Sequence, residues 1–152
     1  MAIGSVVALA GGVGGAKLTK GLAEVLESDK LTVVVNTADD FEHLGLYICP
    51  DLDTVMYTLC DLNNVETGWG IKSESWNFLE ALREIGGETW FSLGDRDLAT
   101  HIHRTYRMNA KDKLSDITAD FCTIMGTDVR ILPMTDDPVR TMVDTEEGRI
   151  PF

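Results

Sequence analysis

An α/β fold built on a Rossmann-like, mainly parallel sheet is what this sequence predicts, and three observations carry the prediction. The first apolar run, VVALA (6–10), passes through the glycine-rich stretch GGVGG (11–15) directly into a segment of helical periodicity. A second run, LTVVVN (31–36), has the unbroken β-branched character of a parallel strand buried on both faces. Beyond it, apolar strand-like runs and helical patterns alternate, the signature of a parallel sheet with helices on both faces.

Taken in order, residues 6–10 make the first strand and Lys17 to Leu26 a helix with Leu18, Leu22, Val25 and Leu26 on one side. With the second strand at 31–36 these form a βαβ unit with a right-handed crossover. A loop then runs to Asp51, and a helical stretch extends from about Asp53 to Leu62, with Pro50 and Asp51 making its start. Ser73 is the expected cap of a helix through Trp76, Leu79, Leu82 and Ile85, ended by Gly86 and Gly87. The segment TWFSLGDRD (89–97) reads as a short strand broken at Gly94, then a helix through Leu98, Ile102 and Tyr106. Ser115 opens the next helix, stopped by Gly126, and DVRILPM (128–134) is a strand. The end, VRTMVDTEEGRIPF (139–152), reads as a β-hairpin turning near Glu147 and Gly148. One domain is expected over 1–152, and because the hairpin stops without a closing element the chain is expected to be truncated.

Composition narrows the function classes. The formal net charge is −12 and no basic cluster offsets it, which disfavours nucleic acid as a partner. No apolar run approaches a membrane span and the N-terminus lacks a basic leader, so a cytoplasmic location without a membrane partner is expected. Cys49, Cys60 and Cys122 are widely spaced, without a C-x-x-C pair, and read as core residues. His101 and His103 lie two apart, on different faces of a helix, which argues against a shared metal.

The glycines are the first candidate site. A strand–glycine–helix junction aims the helix's free N–H groups at whatever fills the turn, and the natural occupant is an anion. The dinucleotide fingerprint is incomplete, because Lys17 stands where its third glycine belongs, and the Walker pattern is absent. A phosphate site and a turn that merely packs helix on strand both remain open. Acidic residues form the second candidate: TADD (37–40), DLD (51–53), GDRD (94–97) and TDDP (135–138) follow strands or open helices. At the C-terminal edge of a parallel sheet such turns meet in one crevice. A divalent cation held by some of them would reconcile this acidity with an anionic ligand. The alternative is that aspartate is simply common in turns and caps.

These same stretches, ALAGGVGGAKL, TVVVNTADDFEHLGLYICPDLDTVMYTL, WFSLGDRDLATH and ILPMTDDPVRTMVDTEEG, resemble in order the 2-phospho-L-lactate transferase family (CofD/FbiA-like). The resemblance covers the N-terminal half of family members. It implies a Mg²⁺-dependent transfer in biosynthesis of the deazaflavin coenzyme factor 420. A guanosine-diphosphate-linked 2-phospholactate, or a related phospho-three-carbon acid, reacts with a hydroxyl of the deazaflavin Fo and GMP is released. Both substrates are small molecules, and a homodimer is an open assembly. Carried over by position, Asp53 looks like the Fo-contacting aspartate and, with Asp95, a catalytic residue; Ser92 stands at a further Fo-associated position. Gly11, Gly12, Gly14, Gly15 and Lys17 correspond to the phosphate-side turn, and Asp39, Asp40 and Asp53 are the Mg²⁺ candidates. Two other classes compete: a nucleotide- or sugar-nucleotide-binding regulator similar to gluconeogenesis-factor proteins, and a non-catalytic fragment. An NAD-dependent dehydrogenase is disfavoured by the missing glycine and by Asn36 at the second strand's end.

Overall fold

Glycine decides how the first strand meets the first helix. The computed structural model describes residues 4–151, and Phe152, the last residue of the expected hairpin, lies outside them, as do residues 1–3 of the expected domain. Strand β1 (Val6–Ala10) runs into helix α1 (Gly12–Val25) after the single residue Gly11. The expected glycine turn is therefore not a loop: Gly12, Gly14 and Gly15 lie in the helix itself. Each does something different. Gly12 has φ +57°, which a side chain would strain, and a Cβ on Gly15 would stand 3.0 Å from both Cα and Cβ of Ala10. Nothing lies within 4 Å of a Cβ on Gly14.

Strand β2 (Leu31–Val35) follows, then a short hairpin of β3 (Phe41–His43) and β4 (Leu46–Ile48), where a loop is expected from the sequence. Three-residue strands are too short to show periodicity, and the turn is unmarked because Leu44 (φ 52°) adopts the left-handed region beside Gly45 (φ 73°). Helix α2 (Pro50–Leu59) begins at its proline, the start that Pro50 and Asp51 mark in the sequence, ends at Leu59 rather than Leu62, and is buried from Leu52 through Leu59. Helix α3 (Asn77–Glu84) starts beyond Ser73, whose φ of +56° places it in the preceding turn rather than at the cap. Residues 89–93 are not the expected strand. Trp90 and Phe91 pack instead on Phe41 and His43 of the hairpin, with ring centroids 5.1–5.8 Å apart. Helices α4 (Asp95–Asn109) and α5 (Leu114–Met125), strand β5 (Arg130–Pro133) and the hairpin β6 (Met142–Thr145) and β7 (Gly148–Pro151) complete the chain. Gly126, at φ 94°, ends α5 as expected.

The parallel sheet has the order β1-β2-β5. Its register aligns Ala8, Val33 and Ile131 in one row, and this row is buried in a core shared with Ala16 of α1, Leu52, Val55 and Met56 of α2, and Ile117 and Phe121 of α5. The expected parallel sheet with packed helices and a terminal hairpin is found, but the expected cover on both faces is not: the described core lies on one face. The adjacent row, Leu9, Val34 and Leu132, faces the other way, and there Val7 and Leu9 are 64% and 78% exposed. Among the described residues the core cluster is built on one face of the sheet. The arrangement brings the C-terminal ends of β1 and β2, the loop after β2 and the start of α2 to one edge.

Gly15→Ala is expected to lower stability by ~1–3 kcal/mol, because the methyl meets β1 backbone that has no room to yield, whereas Gly14→Ala is expected to be neutral or to stabilise by ~0.5–1 kcal/mol. Urea denaturation of the two variants, read by circular dichroism, checks the pair.

Candidate active site

Four elements meet at the C-terminal edge of the sheet, and Asn36 ties them together. Its backbone N–H donates to Ala10 at the end of β1, 2.9 Å. Its side-chain Nδ2 donates to two carboxylates at once, Asp39 Oδ2 at 2.8 Å and Asp51 Oδ2 at 2.9 Å. Its Oδ1 accepts from the Ala38 N–H at 3.1 Å, fixing the loop after β2. Thr141, a hundred residues away, donates its hydroxyl to Asp39 Oδ1 at 2.8 Å. On the glycine side, a Cβ on Gly11 would stand 3.0 Å from Asp51 Oδ2 and 3.4 Å from Asn36 Cβ, so the missing side chain leaves the space into which Asp51 fits.

The geometry sets the electrostatics of this edge. Helix α1 has no side-chain cap at Gly11, so its first N–H groups present the positive end of the helix. Asp51 already occupies the flank of that terminus. A phosphate placed there sits beside a carboxylate, and a cation between them removes the repulsion. The donors present, two half-buried carboxylates and a hydroxyl, are the hard oxygens that Mg²⁺ takes. The residues therefore fit Mg²⁺.

The other sequence candidates lie elsewhere. Of the metal candidates only Asp39 belongs to this edge group. Asp53, two residues past Asp51, turns into the protein and pairs through both oxygens with Arg104 of α4, Nη1 to Oδ2 at 3.0 Å and Nη2 to Oδ1. His101 Nδ1 accepts from Arg104 at 3.2 Å, and its Nε2 stands 3.4 Å from Asp97 Oδ2, while Tyr57 donates its hydroxyl to Asp97 Oδ1 at 2.7 Å. Asp53, Asp97, His101 and Arg104 are all buried. Burial alone pushes Asp97 up, but the His101 ring, Tyr57 hydroxyl and Arg104 outweigh it and hold the carboxyl below its ordinary range. The same reasoning applies to Arg104: burial favours loss of its proton, Asp53 reverses this, and the guanidinium stays charged. Asp53, Asp97 and His101 lie close enough to share a metal ion, yet the guanidinium already neutralises Asp53.

Asp95 is a cap. It accepts from Ser75 Oγ, from Asn77 backbone and side chain, and from Phe78 N–H, closing the start of α3. These bonds, the Asn77 side chain first, hold it at about 2. Glu74 reciprocates at the start of α4, accepting from the Arg96 and Asp97 N–H groups at 2.7 and 3.1 Å. Gly94 lies between: a Cβ there would fall 1.8 Å from Glu74 Cγ. The GDRD turn is thus explained by two helix ends capping each other. Ser92 lines a small cleft with Trp69, Trp76 and Glu74, and exposed Lys17 lines a separate groove with Lys20 and Asp61, whose side chains are paired at 2.6 Å. Asp40 lines both the depression that holds Asp39 and Thr141 and a neighbouring cavity, and burial pushes it up to about 7. The three cysteines are free, and burial raises each thiol, in keeping with the expected packing role.

Asn36 and Thr141 are members of the site that sequence reasoning passes over, and Asp51 appears there only among the acidic turns. The one available signal is position, Asn36 at a strand's C-terminal end and Asp51 just inside a helix after proline.

A family model for 2-phospho-L-lactate transferase CofD matches residues 6–151. A phosphoenolpyruvate transferase from Kitasatospora aureofaciens is 49% identical over 140 residues, 91% of this chain and 44% of the relative. A 2-phospho-L-lactate transferase from Methanosarcina acetivorans is 43% identical over 146 residues, 96% of this chain and 48% of the relative. The phosphoenolpyruvate transferase of Thermobifida fusca is 46% identical over 155 aligned positions, covering 95% of this chain and 48% of that protein. The chain spans about half the length of the curated relatives it matches. No described helix is long and apolar enough to cross a membrane.

Two outcomes follow from the buried network and the caps. Arg104→Met, which strands the Asp53 charge, is expected to cost ~3–5 kcal/mol, and adding Asp53→Leu to recover most of it; a double-mutant cycle by urea denaturation at neutral pH reads both. Asp95, at about 2 when folded against an ordinary 3.8, adds stability that is complete above the ordinary value and lost as pH falls through the lower one. Asp95→Asn is therefore expected to flatten the acid limb of the stability curve, measured by thermal melts between pH 5 and pH 2.

Proposed function

The chain belongs to the 2-phospho-L-lactate transferase CofD family, and on that premise we propose that it carries the metal- and phosphate-side half of a transferase site. The reaction moves a phosphorus-linked three-carbon acid from a guanosine-diphosphate-activated donor to a hydroxyl of the deazaflavin Fo. The hydroxyl oxygen forms a bond to the phosphorus that bears the acid, the diphosphate bridge breaks, the bridging oxygen leaves with GMP, and the proton lost by the hydroxyl is released along with it. The observation that carries this reading is the Asn36 amide holding Asp39 and Asp51 together beside Gly11, at the uncapped start of α1.

In this proposal Asp39 and Asp51 hold Mg²⁺. The ion, when bound, supplies charge neutralisation to the phosphate oxygens. The chain's own residues do the rest. The free N–H groups of the first turn of α1 donate to the anionic phosphate and to the charge that grows on its oxygens. Asn36 fixes the separation of the two carboxylates, and Thr141 fixes the rotation of Asp39. Phosphoryl transfer asks little more of a protein than positioning and charge stabilisation. Asp53 supports the site from behind, by anchoring α2 to Arg104. The relatives' names fit a three-carbon phospho-acid donor, since those cited are phosphoenolpyruvate and 2-phospho-L-lactate transferases.

Calorimetric titration with Mg²⁺ is expected to show one site, weakened at least tenfold in Asp39→Asn and in Asp51→Asn with the fold intact. Fluorescence titration with Fo and mass detection of product after addition of the donor test the reaction. Mg²⁺ binding that neither variant disturbs overturns the assignment of the site.

A further inference from the structure

The parallel sheet is closed off at one edge and open at the other. Among the described residues β1 and β5 are its edge strands. Strand β5 carries exposed Arg130 and ends at Pro133, a charge and a missing donor of the kind that keep an edge from pairing. Strand β1, VVALA, has neither charge nor proline, so its outer row of backbone groups is free to take a further strand. The face beside that edge is open too. Val7 and Leu9 are 64% and 78% exposed, and the register carries the row of Leu9 through Val34 to Leu132, both half-buried.

Handedness says what fits there. The chain steps from β1 through α1 to β2, and arrives through α5 at β5, always in one direction across the sheet. Right-handed crossovers then place both helices on one face, where the core lies. A parallel strand added beyond β1 extends the sheet in the opposite direction, and the same rule puts its helix on the opposite face, over Val7 and Leu9. The complementary shape is a strand with an amphipathic helix. A second copy of this chain fits poorly. Three short strands offer a face on the order of 250 Å², against about 800 Å² per partner in a stable complex, and two chains of net charge −12 repel each other. That charge also disfavours an anionic membrane surface. The relatives, by contrast, have polypeptide to spare: 91% and 96% of this chain correspond to only 44% and 48% of the Kitasatospora and Methanosarcina proteins.

We propose that the outer edge of β1 and the face carrying Val7 and Leu9 form a docking surface for an α/β polypeptide, which adds one parallel strand to β1 and lays the apolar side of a helix on Val7 and Leu9. The surface is defined by the sheet alone, whatever reaction the neighbouring carboxylates serve.

The probe is the part of the Kitasatospora aureofaciens relative that lies outside the match, produced with this chain both as a separate polypeptide and joined to it in one chain. A one-to-one complex by light scattering is expected. In the joined form, slowed hydrogen exchange is expected at the β1 amides that point away from β2, whether or not the separate probe folds. Leu9→Lys is expected to weaken the complex about tenfold or more, to return those amides to fast exchange, and to leave the melting temperature of the free chain unchanged. Ile85→Lys, at another exposed apolar position, is expected to alter none of these. Unslowed β1 exchange in the joined form, indifference to Leu9→Lys, or an equal effect of Ile85→Lys overturns the proposal. So does a dimer of the free chain that Leu9→Lys dissolves, which makes the face a self-association surface. None of these readouts depends on turnover, so failure of the transferase reading leaves them unchanged.

Discussion

The ion pair between Asp53 and Arg104 is the constraint on which the rest of the molecule turns. Helix α2 is buried along almost its whole length, yet it carries a carboxylate in its first turn. Such a charge survives inside a protein only with a partner that satisfies it. Arg104 supplies that partner from α4, with 1% of its own surface exposed. The consequence reaches the sheet edge. With Asp53 turned inward toward α4, the carboxylate two residues earlier turns toward Gly11 and Asn36. Adjacent acids of one motif thereby acquire opposite duties, one as an anchor and one as a candidate ligand.

A second lock works on the same helix from its other side. Glu74 and Asp95 cap each other's helices, and Gly94 leaves the room that the exchange requires. This sets the start of α4, hence the height at which Arg104 and His101 meet α2. The acidic GDRD turn, which reads as a candidate for chemistry, is occupied by helix ends whose N–H groups would otherwise lack partners. Removing a carboxylate there disturbs the site at a distance, through the placement of α4.

The sheet is unusual in one respect. Parallel strands are ordinarily covered on both faces, whereas Val7 and Leu9 are exposed here while Ala8, Val33 and Ile131 are packed against helices. The relatives are about twice as long as this chain. Asn36, Asp39, Asp51 and Thr141 bond to one another at the strand ends, away from the exposed Val7 and Leu9.

Local information was enough for much of this. Continuous apolar runs marked β1, β2 and β5, periodicity marked the helices, Gly126 marked a helix end, and the crowding of aspartates after strands pointed to the C-terminal edge of the sheet. The hairpin at 41–48 escaped because its strands are too short to carry a period and its turn uses a leucine at positive φ. The roles of the individual acids were not legible at all. Asp53 meets a guanidinium 51 residues away, Asp95 meets groups 17–20 residues back, and Asp39 meets a hydroxyl 102 residues on. Composition and spacing establish that the carboxylates exist and which edge they favour. Which of them faces solvent, a cap or a buried arginine is decided by partners distant in the chain, because a carboxylate's duty is set by what the fold brings within three ångströms of it.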